Sequence, residues 1–235
     1  MPTPKPVVTP TPTPSAERSR LGIHWDERVS AFRLENATLD RKARPIVFVG
    51  DSLTQAYPLE QYYPGLQVLN RGIKADGITP SPGMPPDTGV LNRMGPSIYD
   101  THPSVVVVLL GTNHLAHESE EIGTLLANYT HLYDLTMRRC PDARFIVTTV
   151  PPVGEKRQDR DYFNARVRAF NEALKAFAIS RDLPVVDLYS VLVDENGLLC
   201  SECTGDGVHL TPLAYERWTA ALKPHLPSHE VATPQ

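Results

Sequence analysis

The sequence predicts an α/β protein in which a doubly wound parallel sheet of five strands is flanked by helices. Short apolar runs predict strands that are buried on both faces, as in parallel sheets. The runs are Ile46–Val49, Val68–Leu69, Val105–Leu110, Phe145–Val150 and Val185–Leu188. Segments with the helical spacing of apolar residues lie before, between and after these runs. Strands that alternate with helices form right-handed crossovers and a single covered sheet.

Four helices are predicted from this spacing, and they are His24–Leu39, Glu118–Arg139, Asp161–Ser180 and Leu213–Leu222. The first precedes every strand, so we expect it to pack outside the sheet. Thr211 and Pro212 precede the last helix. Threonine is a favoured N-cap residue and proline is favoured at the first helical position, so this pair predicts where that helix begins.

Length and composition indicate one domain. The chain has 235 residues, of which 41% are hydrophobic, enough for one sizeable α/β core. The formal net charge of −4 argues against nucleic acid as a partner. No apolar stretch has the length of a membrane-spanning helix, so we expect no membrane insertion.

The two ends of the chain differ in composition from the middle. Residues 1–16 alternate proline with threonine, lysine and valine, a pattern that predicts an extended, disordered segment. Residues 228–235 are also expected to be disordered, which leaves 17–227 as the single domain. Linkers rich in threonine and proline often follow an export signal, so an extracytoplasmic location is favoured over a cytoplasmic one.

A serine follows the first predicted strand directly, in the segment Gly50-Asp51-Ser52-Leu53. At the carboxyl end of a buried strand, a side chain points into open space at the edge of the sheet. Backbone N–H groups at the start of the next helix face the same point. Exposure and a local positive field are what a nucleophile needs, so Ser52 is the candidate nucleophile.

Residues far from this serine supply the other parts of an acyl-transfer site. His209 can accept the serine proton, because imidazole titrates near neutrality. Asp206, three positions earlier, can hold the imidazole tautomer and stabilise the imidazolium. Candidate donors to the oxyanion are the backbone N–H groups of Ser52 and Gly72 and the side-chain amide of Asn113.

These segments resemble the four sequence blocks of the SGNH (GDSL) hydrolase family, in the family's order, from Ile46 to about Tyr215. The blocks are Gly-Asp-Ser-Leu around Ser52, Leu-Asn-Arg-Gly-Ile around Gly72, Leu-Gly-Thr-Asn ending at Asn113, and Asp-Gly-Val-His-Leu around His209. The resemblance implies a three-layer, flavodoxin-like fold and an ester or thioester hydrolase. It also implies a triad of Ser52, Asp206 and His209, with Gly72 and Asn113 as oxyanion donors. We expect no metal and no organic cofactor.

The chain departs from the family pattern at two places. His114 stands where the family usually has aspartate, and the segment Lys74–Thr88 is long and rich in proline and glycine. We interpret this segment as an enlarged loop beside the active site. The α/β-hydrolases are a poorer match, because their nucleophile elbow needs glycine two positions after the serine, where this chain has Thr54.

Some polar residues near these blocks allow several interpretations. Arg71, Lys74 and Arg93 are interpreted as solvated surface charges, with attraction of an anionic substrate as the alternative. Cys200 and Cys203 have the C-x-x-C spacing of a short disulfide, half a zinc site, a redox motif or two ordinary thiols. These readings stay open at this point.

The sequence therefore predicts a serine esterase that acts on a small-molecule or glycan ester with a small acyl group, such as an O-acetyl ester of a sugar. A thioesterase or lysophospholipase-type acylhydrolase is an alternative within the same chemistry. Two alternatives come from other classes: a non-catalytic carbohydrate-binding relative, and a metal-dependent hydrolase that uses Cys200, Cys203 and histidines.

Overall fold

The computed structural model describes residues 18–40, 42–118 and 120–227. The terminal segments 1–16 and 228–235, predicted to be disordered, lie outside the described residues. None of the helices in the described ranges is long and apolar enough to cross a membrane.

A parallel sheet of five strands forms the centre of the fold, as predicted. The strands are β1 Ile46–Gly50, β2 Val68–Gly72, β3 Val105–Leu109, β4 Arg144–Thr148 and β5 Val185–Val186, in the order β2-β1-β3-β4-β5. This is the flavodoxin-like order, in which ligands bind at the carboxyl ends of the strands. Every residue of β1 and β3 is buried, as expected for strands covered by helices on both faces.

The register brings the predicted site segments to one edge of the sheet. Gly50 at the end of β1 pairs with Gly72 at the end of β2 on one side and with Leu109 at the end of β3 on the other. The chain segments that continue from these residues carry the candidate nucleophile and the candidate oxyanion donors. The common edge of three neighbouring strands therefore positions the site.

The α-helices are α1 Arg20–Ala37, α2 Ser52–Gln55, α3 Leu59–Tyr62, α4 Met94–Ser97, α5 Thr112–Leu115, α6 Ile122–Arg139, α7 Arg160–Ile179, α8 Leu188–Leu192 and α9 Pro212–Leu222. Four predicted helices correspond to α1, α6, α7 and α9. Helix α6 begins at Ile122, four residues later than Glu118, where its prediction began. Thr211 precedes α9 as predicted, but its hydroxyl donates to the carbonyl of Glu202 and does not cap the helix.

Strand β5 is shorter than the predicted run Val185–Leu188. The backbone leaves the strand at Asp187, whose side chain accepts hydrogen bonds from the Thr149 hydroxyl at 3.0 Å and from the Ser190 N–H at 3.3 Å. The second bond caps α8. A polar capping residue therefore ends the strand before the apolar pattern does.

Helix α1 packs outside the main core, as predicted. Its buried residues Trp25, Val29 and Phe32 form a separate apolar cluster with Ile73, which directly follows β2. The carboxyl end of β2 is therefore supported by α1 on one side and by the sheet on the other.

Two arginines beside this cluster correct an expectation from the sequence. Arg71 and Arg93 are completely buried, so the interpretation as solvated surface charges is wrong for both, whereas Lys74 is exposed. Each guanidinium has an acidic partner and lies over an aromatic ring, and for Arg71 these are Glu35 and Phe32. A charge that is paired and hydrogen-bonded in this way can be buried.

Candidate active site

The turn after β1 presents Ser52 at the edge of the sheet. A Cβ atom on Gly50 would lie 2.0 Å from Thr54 Oγ1, so only glycine lets α2 begin this close to the strand. Asp51 caps α2, because its Oδ1 accepts a hydrogen bond from the Leu53 N–H at 2.9 Å. Ser52 is the first residue of α2, and its N–H therefore has no acceptor within the helix.

Asp51, next to the candidate nucleophile, is almost completely buried. Burial raises the pKa of its carboxyl to about 6, and the hydrogen bond from Leu53 only partly opposes this shift. The Oδ2 atom has no hydrogen-bond partner among the described residues. Asp51 thus organises the turn at some electrostatic cost.

Three predicted residues form a continuous hydrogen-bonded chain. His209 Nε2 lies 3.2 Å from Ser52 Oγ, and His209 Nδ1 lies 2.6 Å from Asp206 Oδ2. The other oxygen of Asp206 accepts hydrogen bonds from the backbone N–H groups of His209, at 2.8 Å, and Val208, at 2.9 Å. Asp206 therefore fixes both the ring and the backbone of the turn that carries it.

The charge of Asp206 sets the tautomer of the ring. Burial alone would raise the pKa of Asp206, but the hydrogen bonds from the His209 ring and from backbone N–H groups outweigh it and hold the pKa well below its usual range. An ionised carboxylate accepts the Nδ1 hydrogen, which leaves Nε2 as the acceptor for the Ser52 hydroxyl. This is the arrangement that general-base catalysis by His209 requires.

The loop that carries Asp206 and His209 is held by hydrogen bonds to the segment that follows β4. Gly207 adopts φ 90°, and a Cβ atom there would lie 3.3 Å from the backbone N of Arg157. Its carbonyl accepts a hydrogen bond from Gly154 N–H at 2.7 Å, and the Lys156 ammonium donates to the carbonyl of Gly205 at 2.7 Å. The segment that follows β4 therefore supports the loop that carries Asp206 and His209.

Cys200 and Cys203 form a disulfide immediately before this loop. Of the four readings of the C-x-x-C spacing, the structure therefore contains the short disulfide. Sulfurs joined in this way are not available as thiolate ligands for zinc. Among residues 18–40, 42–118 and 120–227, no group of three or more His, Cys, Asp or Glu side chains is arranged to hold a metal ion.

Asn113 lies in the short helix α5 that follows β3. Its side-chain Nδ2 donates a hydrogen bond to the backbone carbonyl of Asp76 at 2.8 Å. An amide nitrogen carries two hydrogens, so the other remains to be directed elsewhere. Asn113 therefore has the chemistry and the fixed orientation that an oxyanion donor needs.

Gly72 has two structural roles besides its predicted one. A Cβ atom on Gly72 would lie 2.1 Å from the backbone N of Gln55, so glycine is needed where α2 packs against β2. Its N–H donates to Asn70 Oδ1 at 2.9 Å, and the amide nitrogen of Asn70 donates in turn to the carbonyl of Thr54 at 2.7 Å. Donation to an oxyanion requires that this N–H be shared with Asn70, and the role of Gly72 stays a prediction.

His114, where the family usually has aspartate, packs against the enlarged loop. It is fully buried, and its Nε2 lies 3.1 Å from Thr79 Oγ1. A Cβ atom on Gly77 would lie 2.1 Å from the imidazole, so the loop backbone rests on the ring. Burial lowers the pKa of His114 to about 4, which keeps the ring neutral at physiological pH.

Sequence reasoning missed Asp76, and it missed the role of Arg93. The two side chains form a completely buried ion pair, with Arg93 Nε 2.7 Å from Asp76 Oδ2. Hydropathy alone assigns both residues to the surface, because charged side chains are almost never fully buried unless they are paired, and these two partners lie 17 positions apart in the chain.

Comparison with known proteins gives one family and several relatives. Residues 48–217 match the GDSL-like lipase/acylhydrolase family. Platelet-activating factor acetylhydrolase IB subunit alpha2 from Gallus gallus is 31% identical over 187 residues, which are 75% of this chain and 73% of that protein. The same subunit from Homo sapiens is 28% identical over 184 residues, with the same shares of the two chains.

Solved structures share the fold. A GDSL-like lipase from Bacteroides thetaiotaomicron is similar with a TM-score of 0.71 at 24% identity, over 84% of this chain and 96% of that chain. A catalytic mutant of an acetylxylan esterase from Geobacillus stearothermophilus is similar with a TM-score of 0.59 at 18% identity, over 81% and 97%. At these identities, the likeness shows a common fold.

Proposed function

This chain belongs to the GDSL-like lipase/acylhydrolase family, and from that premise we propose that it is a serine esterase that hydrolyses carboxylic esters with a small acyl group. Ser52 is the nucleophile, His209 the general base and acid, and Asp206 the residue that orients His209. The Ser52 N–H, the Gly72 N–H and the Asn113 amide are the donors to the oxyanion.

The observation that carries the proposal is the continuous chain from Ser52 Oγ through both ring nitrogens of His209 to Asp206. In the first step, Ser52 Oγ attacks the carbonyl carbon while His209 Nε2 accepts the hydroxyl proton. His209 then returns that proton to the leaving alcohol, and an acyl-enzyme ester remains on Ser52. A water molecule, deprotonated by His209, attacks this ester, and His209 returns the proton to Ser52 Oγ as the bond to the acyl group breaks and the acid leaves.

Two observations support a small acyl group. The relatives from Gallus gallus and Homo sapiens are named as acetylhydrolases. The catalytic side chains are also open to solvent, since those of His209 and Asp206 are 49% and 56% exposed. A site that binds a long acyl chain buries most of the surface of that chain. A site that is open to solvent does not. O-acetyl esters of sugars or of other small alcohols are the substrates we propose.

Labelling and turnover together test the proposal. A fluorophosphonate probe is expected to label the wild type at Ser52 only, and p-nitrophenyl acetate is expected to be hydrolysed equally well with and without a chelator. Ser52→Ala should lower kcat by roughly 10⁴ or more, since triad members act as a unit. Ser201→Ala is a matched control, because Ser201 is exposed on the segment before the catalytic loop.

The alternatives predict other results. Loss of turnover with a chelator would indicate a metal-dependent hydrolase. A wild type that neither turns over esters nor reacts with the probe, yet binds carbohydrate, would indicate a non-catalytic relative. A Ser52→Ala variant that keeps most of the activity would contradict the assignment of the nucleophile.

A further inference from the structure

The buried guanidinium of Arg93 forms hydrogen bonds that connect several segments of the candidate site. Arg93 is completely buried, and its Nε donates to Asp76 Oδ2 at 2.7 Å. Its Nη1 donates to the carbonyl of Arg71 at 2.9 Å and to Ser97 Oγ at 2.8 Å, and its Nη2 donates to the carbonyl of Gly50 at 3.2 Å. Four acceptors thus surround one planar cation, a use of the guanidinium fork that lysine cannot reproduce.

Two of these acceptors lie on segments that carry proposed catalytic groups, and a third belongs to a residue that binds Asn113. Gly50 precedes Ser52 by two residues, and Arg71 directly precedes Gly72. Asp76 provides the third link, because its backbone carbonyl holds the Nδ2 atom of Asn113 at 2.8 Å. One side chain therefore fixes the ends of β1 and β2 and, through Asp76, the amide that follows β3.

Asp76 has little freedom to move. Its side chain is completely buried, and the preceding residue Ala75 adopts φ 61°, in the left-handed region that L-residues rarely occupy. Such a conformation persists where the surroundings over-determine it. Here the surroundings include the pair with Arg93 and a hydrogen bond from the Asp76 N–H to the carbonyl of Ile73 at 3.1 Å.

We propose that Arg93, acting through Asp76, is a positioning residue that aims the free hydrogen of the Asn113 amide at the oxyanion. This inference rests on the proposed esterase function. A donor stabilises the transition state most when it is held in place before the reaction, so that no reorganisation is needed as charge develops. Removing one partner of a buried ion pair is costly, but the presence of such a pair is weak evidence that it adds net stability. A role of the Arg93–Asp76 pair in geometry is consistent with this.

Matched lysine substitutions of the two buried arginines test the proposal. Arg93→Lys keeps the charge and loses the fork, and we expect kcat to fall about 10- to 100-fold with KM within about threefold, because misplaced catalytic groups cost rate more than binding. Arg71→Lys is the control. Arg71 is equally buried, but its guanidinium binds Glu35 and Asn36 of α1, and we expect kcat to stay within about threefold.

A double-mutant cycle separates positioning from general destabilisation. If Arg93 acts through Asn113, then Arg93→Lys should lower kcat much less in an Asn113→Ala background than in the wild type. The proposal would be overturned if Arg93→Lys and Asn113→Ala lowered kcat independently, so that their effects multiplied in the double mutant. It would also be overturned if Arg93→Lys and Arg71→Lys lowered kcat equally. If Arg93→Lys does not fold, Asp76→Asn replaces it, because this variant keeps the carbonyl that holds Asn113 and loses the carboxylate that holds Arg93.

A measurement without turnover keeps this inference distinct from the proposed function. In a ¹H–¹⁵N spectrum, the side-chain amide signals of Asn113 are those that disappear in Asn113→Ala. We expect these signals to shift or broaden in Arg93→Lys and to stay in place in Arg71→Lys. Unchanged signals in Arg93→Lys would overturn the positioning role, whereas absence of esterase activity in the wild type would overturn only the proposed function.

Discussion

His209 Nε2 lies 3.2 Å from Ser52 Oγ although the two residues are 157 positions apart in the chain. Helix α9, which follows the His209 loop, explains how they meet. The hydroxyl of Tyr215 in α9 donates to the carbonyl of Leu53 in α2 at 2.8 Å, and the Tyr215 ring stacks on Tyr57 with 4.7 Å between the ring centroids. The helix that follows His209 is thus fixed to the helix that begins with Ser52.

The first prediction concerns Asn113, the proposed side-chain donor to the oxyanion. Asn113→Ala removes the side-chain amide, and we expect kcat to fall by about 10²–10³ with KM nearly unchanged, because the donor acts mainly in the transition state. Steady-state kinetics with p-nitrophenyl acetate measures this split. Asn196→Ala, at an exposed asparagine, is the control. A higher KM with an intact kcat would mean that Asn113 binds substrate instead.

The second prediction concerns pH. Asp206 has a pKa held well below its usual range, so it stays ionised throughout the pH range in which a histidine titrates. General-base catalysis requires an unprotonated imidazole, so kcat/KM should fall toward acid pH, and Asp206 should add no titration of its own to this fall. A kcat/KM that stayed constant toward acid pH would contradict general-base catalysis by an imidazole.

Substitution of Asp206, the residue proposed to orient His209, extends the pH test. Asp206→Asn should lower kcat by about 10⁴, because an asparagine amide can favour the wrong tautomer of His209. Asp142→Asn, at an exposed aspartate, should leave both the rate and the pH profile unchanged. If Asp206→Asn behaved like this control, another residue would be the partner of His209.

The sequence was sufficient to predict the five-stranded parallel sheet and to place Ser52, Gly72 and Asn113 at or just after the ends of its strands, because each of these depends on a local pattern. A buried strand that ends at Gly50 and is followed by Asp51 and Ser52 indicates the edge of the sheet at which the candidate site lies. The burial of Arg93 depends instead on a partner, Asp76, that lies 17 positions away, and hydropathy alone assigns both to the surface. The bond from Gly72 N–H to Asn70 Oδ1 likewise depends on a rotamer that no pattern specifies.

The third prediction concerns the capping residue Asp51. Burial raises its pKa to about 6, above the value of about 3.9 expected in the unfolded chain. Between these values the folded state binds more protons than the unfolded state, so stability falls as pH rises from about 4 to about 6. Asp51→Asn keeps an oxygen that can accept the Leu53 N–H and removes this titration.

We therefore expect the free energy of unfolding of Asp51→Asn, relative to wild type, to increase by about 2 kcal/mol between pH 4.5 and pH 7.5. Urea unfolding at the two pH values measures the change, and the comparison cancels any effect that does not depend on pH. Asp161→Asn, at an exposed aspartate in the first turn of α7, should show no such trend. If the free energies of unfolding of Asp51→Asn and wild type differed by the same amount at both pH values, ionisation of Asp51 in the folded protein would cost little.

The last prediction concerns the enlarged loop Lys74–Thr88, whose two halves differ. Asp76 and Ile78 are buried, and Asp76 holds Asn113, so the first half belongs to the frame of the site. The segment 82–87 is more exposed and lies near the start of α1, where Arg18, two residues before the helix, forms an ion pair with Asp87 at 2.8 Å. Its prolines restrict the backbone, so we expect a semi-rigid wall that selects substrates.

Replacing residues 82–87 by a Gly-Ser segment of equal length, with Asp76 kept, tests this role. We expect the preference between acetyl and longer acyl esters to change about tenfold, which is about 1.4 kcal/mol of differential transition-state binding, while turnover of p-nitrophenyl acetate stays within about threefold. Asp87→Asn removes only the ion pair with Arg18 and should leave the preference unchanged. Equal losses on every ester would mean that the segment supports the oxyanion donors, and no change on any ester would make it a surface insertion without a role in selectivity.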